Sequence, residues 1–245
     1  MPEQSPPTPF LYAHRGASAQ APENTLAAFR CALEARADGV ELDVHLSADG
    51  VPVVIHDATL QRTTDGSGPV DLLNAAELAT LDAGSWFAPD FAAETVPTLA
   101  AVLELLAGRL RINVELKDAA AGLAVLELLP RFPGAEVILS CFDRAALHEL
   151  RCADPRVPLA VLSEESGWHR LLPEALALGA TVLHLRADVV TRPLVAAARA
   201  AGQPVYAWTV DDPWTARTLL RAGVAGLFTN DPARLRSSIT TPATR

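Results

Sequence analysis

Lysine is almost missing from this chain. Of its 20 basic residues 19 are arginine, and Lys117 is the only lysine. A compact ammonium kept at one position, where arginine serves everywhere else, marks Lys117 as a candidate for a role that needs a point charge; the alternative is a leftover surface lysine. Positive charge is scarce overall. The net charge of −9 argues against a nucleic-acid surface, because phosphate backbones bind basic patches, so an anionic ligand must meet a local cationic site. No run of 18 residues is free of charged or turn residues, and nothing reads as a bilayer span or membrane anchor. The opening MPEQSPPTPF carries an acid and four prolines where a signal peptide has a basic stretch and an apolar core, so a cytoplasmic location is expected. Cysteine is rare too: Cys31, Cys141 and Cys152 are odd in number and lack a CxxC spacing. That excludes a disulfide framework and a zinc ribbon and predicts buried free thiols.

What is present is an alternation. Short runs rich in Val, Ile and Leu at 10–14, 39–46, 110–116, 136–141, 158–163, 181–185, 205–209 and 226–229 read as strands. Ala/Leu-rich amphipathic stretches at 24–37, 98–108, 119–131, 143–153, 167–178, 191–201, 213–222 and 231–238 read as helices. Eight such units in 245 residues, with no GxGxxG after the first strand, predict a single TIM (β/α)8 barrel domain rather than an open doubly wound sheet. One region breaks the rhythm. After the second strand SADG reads as a turn and VPVVIHD as a short extra strand. Residues 58–95 then read as an insertion, a lid or small subdomain on the loop face, with an ordinary long loop as the alternative. The ends, 1–9 and 239–245, read as flexible tails.

Residues two apart in a strand share a face, so ELDV sends Glu41 and Asp43 the same way, and NVELK does likewise with Asn113, Glu115 and Lys117. Three acids facing one barrel mouth want a positive partner. An all-oxygen set of two Glu and one Asp suits a hard cation, Mg²⁺ or Ca²⁺; the alternative is a set of buried salt bridges to barrel arginines. His14 and His56 end the first strand and the extra strand, on the face where barrel active sites sit, and two such groups form an acid and base pair near neutral pH. Arg15 offers a forked donor set to a phosphate or carboxylate.

AHRG, PENT, ELDVHLSADGVPVVIHD, VPTL, NVELK and TNDP, in this order, closely resemble the glycerophosphodiester phosphodiesterase family, relatives of the bacterial phosphatidylinositol-specific phospholipases C. The resemblance runs from about residue 10 to 232 and implies a TIM barrel with an insertion after its second strand. It also implies that Glu41, Asp43 and Glu115 ligate one divalent metal and that His14 and His56 are catalytic. Arg15 and Lys117 are then donors to the phosphate and glycerol moieties, and Trp208 is the aromatic beside the glycerol, with a core tryptophan as its alternative. Glu23 and Asn24 match a turn with positioning roles. The implied reaction is metal-dependent hydrolysis of a glycerophosphodiester, through a cyclic phosphate, to an alcohol and sn-glycerol 3-phosphate. His14 acts as base and His56 as acid, and the two then exchange roles.

Other residues read less sharply. His45 is either a partner to the acids or solvent-facing above the hairpin. His184 stands where the family more usually shows Asn, while His148 and His169 read as surface residues on helices. Asp143, Asp211 and Asp231 read as caps of the helices that follow them. Two rival functions remain in view: a lysophospholipase D-like or cyclising phospholipase acting on lipids, and a catalytically silent phosphoester binder. Head-group preference and oligomeric state stay open.

Overall fold

The computed structural model describes residues 9–117 and 119–240. Strand β1 (Phe10–Ala13) leads through helix α1 (Leu26–Glu34) to β2 (Gly39–Leu46), and β3 (Pro52–Val54) turns back antiparallel along the end of β2. A long segment holding the one-turn helix α2 (Ala75–Leu78) follows, before α3 (Leu99–Leu106) and β4 (Arg111–Leu116). The remaining units are α4 (Ala119–Leu128), β5 (Val137–Cys141), α5 (Arg144–Ala153), β6 (Leu159–Ser163), α6 (Trp168–Ala177) and β7 (Val182–Arg186). Helix α7 (Arg192–Ala200), β8 (Val205–Trp208), α8 (Pro213–Ala222), β9 (Gly226–Thr229) and α9 (Pro232–Thr240) complete the ring. Pairing runs β1-β9-β8-β7-β6-β5-β4-β2 and closes through β1 and β2. This is the TIM barrel that the alternation predicts, with β3 as the extra strand.

The strands read as near-continuous apolar runs because both faces are buried. One phase, including Leu11, Val40, Leu42, Val114, Leu139, Val161, Leu183 and Leu227, packs outward under the helices. The other phase points inward and divides the barrel into layers. Its middle is aromatic: Tyr12 stacks on Phe228 at 4.8 Å, and His184 meets Phe228 edge-on at the same distance. His184 is 1% exposed, and burial drives its pKa down to about 3. It is therefore a neutral member of the barrel filling, below the mouth where a substrate contact would lie.

The segment 58–95 is more than a long loop. Leu60, Val70, Leu78 and Ala83 join Val53, Ile55 and Val96 in a small core of their own. Helix α2 carries a reciprocal cap between Asn74 and Glu77. Its remaining helical turns, Val70–Leu72 and Pro89–Phe91, are of the tighter 3₁₀ type, too short to show a 3.6-residue period in sequence.

Three expectations need correction or a boundary. Asp143 and Asp231 cap α5 and α9 as expected, but α8 is capped by Asp212; the Asp211 carboxylate instead accepts from Thr229 and Asn230 at the end of β9. Cys31 is half-buried, Cys141 buried and Cys152 exposed; all are free. The tail residues 1–8 and 241–245 lie outside the described residues, and 239 and 240 belong to α9.

Candidate active site

The inward residues at the C-terminal ends of β1, β2, β4 and β9 form one polar arc. Parallel register sets Asp43 directly beside Glu115, and one carboxylate oxygen from each of Glu41, Asp43 and Glu115 lies within 4.8 Å of the others. Lys117 sits among them, its Nζ 2.7 Å from Asp43 Oδ1 and hydrogen-bonded to Glu115 Oε1. It is no leftover surface charge. Arg15 Nε lies 3.3 Å from Asp43 Oδ2, and the Arg15 backbone N–H donates to Glu41 Oε2 at 2.8 Å.

These contacts treat the three acids differently. Burial would raise the Asp43 pKa, but Lys117 and Arg15 outweigh it and hold the carboxyl well below the usual range. Burial and then the neighbouring acids push Glu41 and Glu115 upward. Burial disfavours the Lys117 ammonium, yet Asp43 and Glu115 raise its pKa to about 12. Glu41 Oε1 is buried without a hydrogen-bond partner. Two side-chain cations thus face three acids, and the orphaned oxygen points to a further positive ligand. An all-oxygen cluster of this kind fits a hard divalent cation, so the arginine-pairing alternative accounts for Asp43 but not for Glu41.

The loop after β1 explains why a strand ends in His-Arg-Gly. Arg15 and Gly16 take left-handed φ values of 58° and 80°, which turn the chain sharply. A Cβ on Gly16 would lie 2.6 Å from the Ala28 side chain, so only glycine lets the turn settle against α1. Asn24 closes the turn, accepting backbone contact from Asp43 and donating through Nδ2 to Asp43 Oδ2 at 2.8 Å. Glu23 accepts from Arg15 Nη1 at 2.8 Å.

His14 follows β1 with its Nδ1 2.8 Å from Asn230 Oδ1. The orientation of the Asn230 amide follows from its other partner: Asp211 can only accept, and it takes the Asn230 Nδ2 and backbone N–H at 2.6 and 2.7 Å. Asn230 Oδ1 therefore faces His14, Nδ1 of His14 must donate, and Nε2 carries the free lone pair, 4.0 Å from Glu41 Oε2. Burial first, and then Arg15, lowers the His14 pKa, which keeps the ring a base.

His56 lies on the other flank of the acids, near enough to lower the pKa of both Asp43 and Glu115. Its Nδ1 is 2.6 Å from Asp57 Oδ1, and Arg62 grips the same carboxylate. His45 resolves to neither reading that its strand position left open: its Nε2 donates to the His56 carbonyl at 3.0 Å and pins that backbone. The remaining arc, from β5 to β8, is different in kind. Trp208 stands half-buried at the end of β8, edge-on to the exposed Phe142 at 5.8 Å, with its Nε1 buried and unpartnered.

Sequence reasoning thus missed Asp57, Arg62, Phe142, Asn230 and Asp211. The first two follow His56 closely, and Asn230 lies within TNDP, so their positions were visible while their contacts were not. A cavity of about 440 Å³ opens beside His14, Arg15 and Asn230. A larger hollow, about 1000 Å³, lies at the opposite barrel mouth between Tyr12, Arg111 and Tyr206. Among the described residues it holds no acid cluster of metal-binding spacing.

Known proteins resemble the chain over nearly its whole length. The profile of the Glycerophosphoryl diester phosphodiesterase family matches residues 14–234. The chain is 36% identical over 245 residues to a glycerophosphodiester phosphodiesterase of Caldanaerobacter subterraneus, covering 92% of this chain and 96% of that one. It is 34% identical over 243 residues to the corresponding protein of Bacillus altitudinis, covering 91% and 95%. An Oleispira antarctica phosphodiesterase, solved in complex with the product sn-glycerol-3-phosphate, superposes with a TM-score of 0.89 at 33% identity, covering 96% and 98%. The matched span runs from His14 to beyond Asn230 and so takes in the whole polar arc: the chain belongs to the glycerophosphoryl diester phosphodiesterase family.

Proposed function

We propose that this chain is an enzyme that hydrolyses glycerophosphodiesters to an alcohol and sn-glycerol 3-phosphate at the C-terminal mouth of its barrel. The observation that carries the reading is the pair of imidazoles flanking one buried acid cluster, each with Nδ1 held by a side-chain oxygen. Glu41, Asp43 and Glu115 would hold one divalent cation, Mg²⁺ or Ca²⁺, which supplies Lewis acidity toward a phosphoryl oxygen and lowers the pKa of a neighbouring hydroxyl. Arg15 and Lys117 donate to the phosphoryl oxygens, where negative charge grows as the pentavalent arrangement forms.

His14 Nε2 takes the proton of the glycerol hydroxyl as that oxygen attacks phosphorus. The bond from phosphorus to the alcohol breaks with its electron pair on oxygen, and His56 Nε2 gives that oxygen its proton. A cyclic glycerol phosphate results. Water then opens it with the roles reversed, His56 as base and His14 as acid, which returns both rings to their starting states. Trp208 packs against the glycerol face. The barrel and segment 58–95 act as one catalytic domain. A cytoplasmic location accords with three free thiols and with the absence, among the described residues, of any helix long and apolar enough to cross a membrane.

The test is release of choline and sn-glycerol 3-phosphate from glycerophosphocholine by the purified protein, run with Mg²⁺, with Ca²⁺ and with EDTA. Release that needs a divalent cation and is lost in Glu41→Gln supports the reading. Turnover of lysophosphatidylcholine in place of glycerophosphocholine contradicts it, as does cation-dependent binding without product.

A further inference from the structure

The guanidinium of Arg62, from the segment after β3, spans two carboxylates at once. Its Nε and Nη2 donate to Asp57 at 2.7 and 3.0 Å, and its Nη1 and Nη2 donate to Glu23 at 2.8 Å each. Both contacts are two-pronged, the geometry in which arginine fixes direction as well as charge. The chain of contacts continues on either side. Asp57 Oδ1 holds His56 Nδ1, and Glu23 Oε1 holds Arg15 Nη1, whose Nε lies against Asp43. Alternating charges therefore run unbroken from the acid cluster to the second histidine, with Arg62 joining the two halves.

Arg62 is itself held from below. Leu60 is fully buried in the small core of the segment, and Thr64 donates to the Leu60 carbonyl at 2.8 Å, closing the turn that carries Arg62. An exposed ion pair at 44% side-chain accessibility ordinarily contributes little, so stability does not explain this arrangement. Position does. Asp57 adjoins His56 in sequence and would swing freely without a second anchor.

We propose that Arg62 is a positioning residue for His56: by clamping Asp57 against Glu23 it holds the His56 ring with Nδ1–H toward Asp57 and Nε2 toward the departing alcohol. Segment 58–95 then has a defined part in the reaction, the delivery of this one guanidinium. The inference rests on the proposed role of His56 as the acid that protonates the leaving oxygen.

That role supplies a readout that a merely structural residue would not move. Choline leaves as an alkoxide that needs a proton, whereas p-nitrophenolate leaves without one. Wild type, Arg62→Ala, Arg62→Lys and His56→Ala are compared on glycerophosphocholine and on the p-nitrophenyl ester of glycerol 3-phosphate, with divalent cation present. For Arg62→Ala, the single-turnover rate of choline release from glycerophosphocholine is expected to fall about ten- to a hundredfold. KM and the single-turnover rate of p-nitrophenolate release, which precedes the ring opening that His56 also serves, should stay within about threefold of wild type. Arg62→Lys should fall between, since one ammonium cannot grip both carboxylates. Equal losses on the two esters, or no loss on either, overturn the inference. Should Arg62→Ala not fold, Glu23→Gln, which keeps Arg62 but weakens its second anchor, must show the same ester discrimination in milder form, or the inference fails. His56→Ala separates the two levels: if it lacks the discrimination while wild type turns over both esters, the acid assignment falls and this inference with it. Absent wild-type turnover overturns the functional reading itself.

Discussion

His14 reaches an oxygen of Asn230, 216 residues away in sequence, whereas His56 reaches an oxygen of Asp57, its immediate neighbour. The first partner is a neutral amide fixed by Asp211 across the β8 and β9 ends; the second is a carboxylate fixed by Arg62 from an exposed segment. Both arrangements impose the same tautomer, with the proton on Nδ1 and the lone pair on Nε2. The barrel holds its histidine by burial, which also lowers its pKa. The segment holds its histidine by paired charge, at lower burial and with more solvent nearby. The proposed base and the proposed acid are thus held by one geometric device in two electrostatic settings.

The largest expected effect breaks the comparison at its core. His14→Ala should lower kcat/KM on glycerophosphocholine by about 10²–10⁴, with little change in thermal stability, because only the proton acceptor is removed. Next is the buried support: Asn230→Ala leaves the His14 ring in place but frees its tautomer. A loss in kcat of about ten- to a hundredfold is expected from steady-state kinetics. A smaller change sharpens the comparison. Asp57→Asn gives His56 the kind of amide partner that His14 has, and about a tenfold loss in kcat should follow, since an imidazolium is less stabilised beside an amide than beside a carboxylate.

The smallest effect is on stability. Burial raises the Glu23 pKa, but Arg62 and Arg15 outweigh it and the net shift is downward; Asp57 is held low chiefly by Arg62. A depressed carboxylate stabilises the fold above its ordinary pKa, 4.5 for Glu23 and 3.8 for Asp57, and that stability is lost as pH falls through the lowered value. Arg62→Ala should therefore melt roughly 2–4 °C below wild type at pH 7, for about 1 kcal/mol of partly screened interaction. The gap should begin to narrow as the pH drops below about 4, where the unfolded chain takes up protons on these carboxylates, and should close only below the lowered native values, where the folded protein takes them up too. A pH series of melting curves checks this.

How much of this was legible in the sequence follows from where each signal resides. The eight strands were legible because each carries an outward Val, Ile or Leu phase into the shell beneath the helices. The ends slipped by a residue at His14 and Thr209, which turn out of the ladder into the loops that shape the mouth. The acid cluster was legible because Glu41 and Asp43 share a strand face, and register then adds Glu115. The supports were not. Asp211 and Asp212 are equally good caps on paper, and only the distant Asn230 decides between them. Arg62 reads as an ordinary solvated charge until Glu23, 39 residues earlier, is folded against it. The small core of 58–95 was hidden for a similar reason: its short turns carry no period, and its apolar residues meet only in three dimensions.

The claim that unites these observations is that both imidazoles present Nε2 to one substrate. It is tested most directly by nitrogen NMR of the ¹⁵N-histidine-labelled protein at neutral pH, with the His14 and His56 signals assigned from His14→Gln and His56→Gln. Protonated Nδ1 and unprotonated Nε2 in neutral His14, with the same tautomer in the neutral form of His56, is the result this account predicts. A proton on Nε2 of either neutral ring would contradict it.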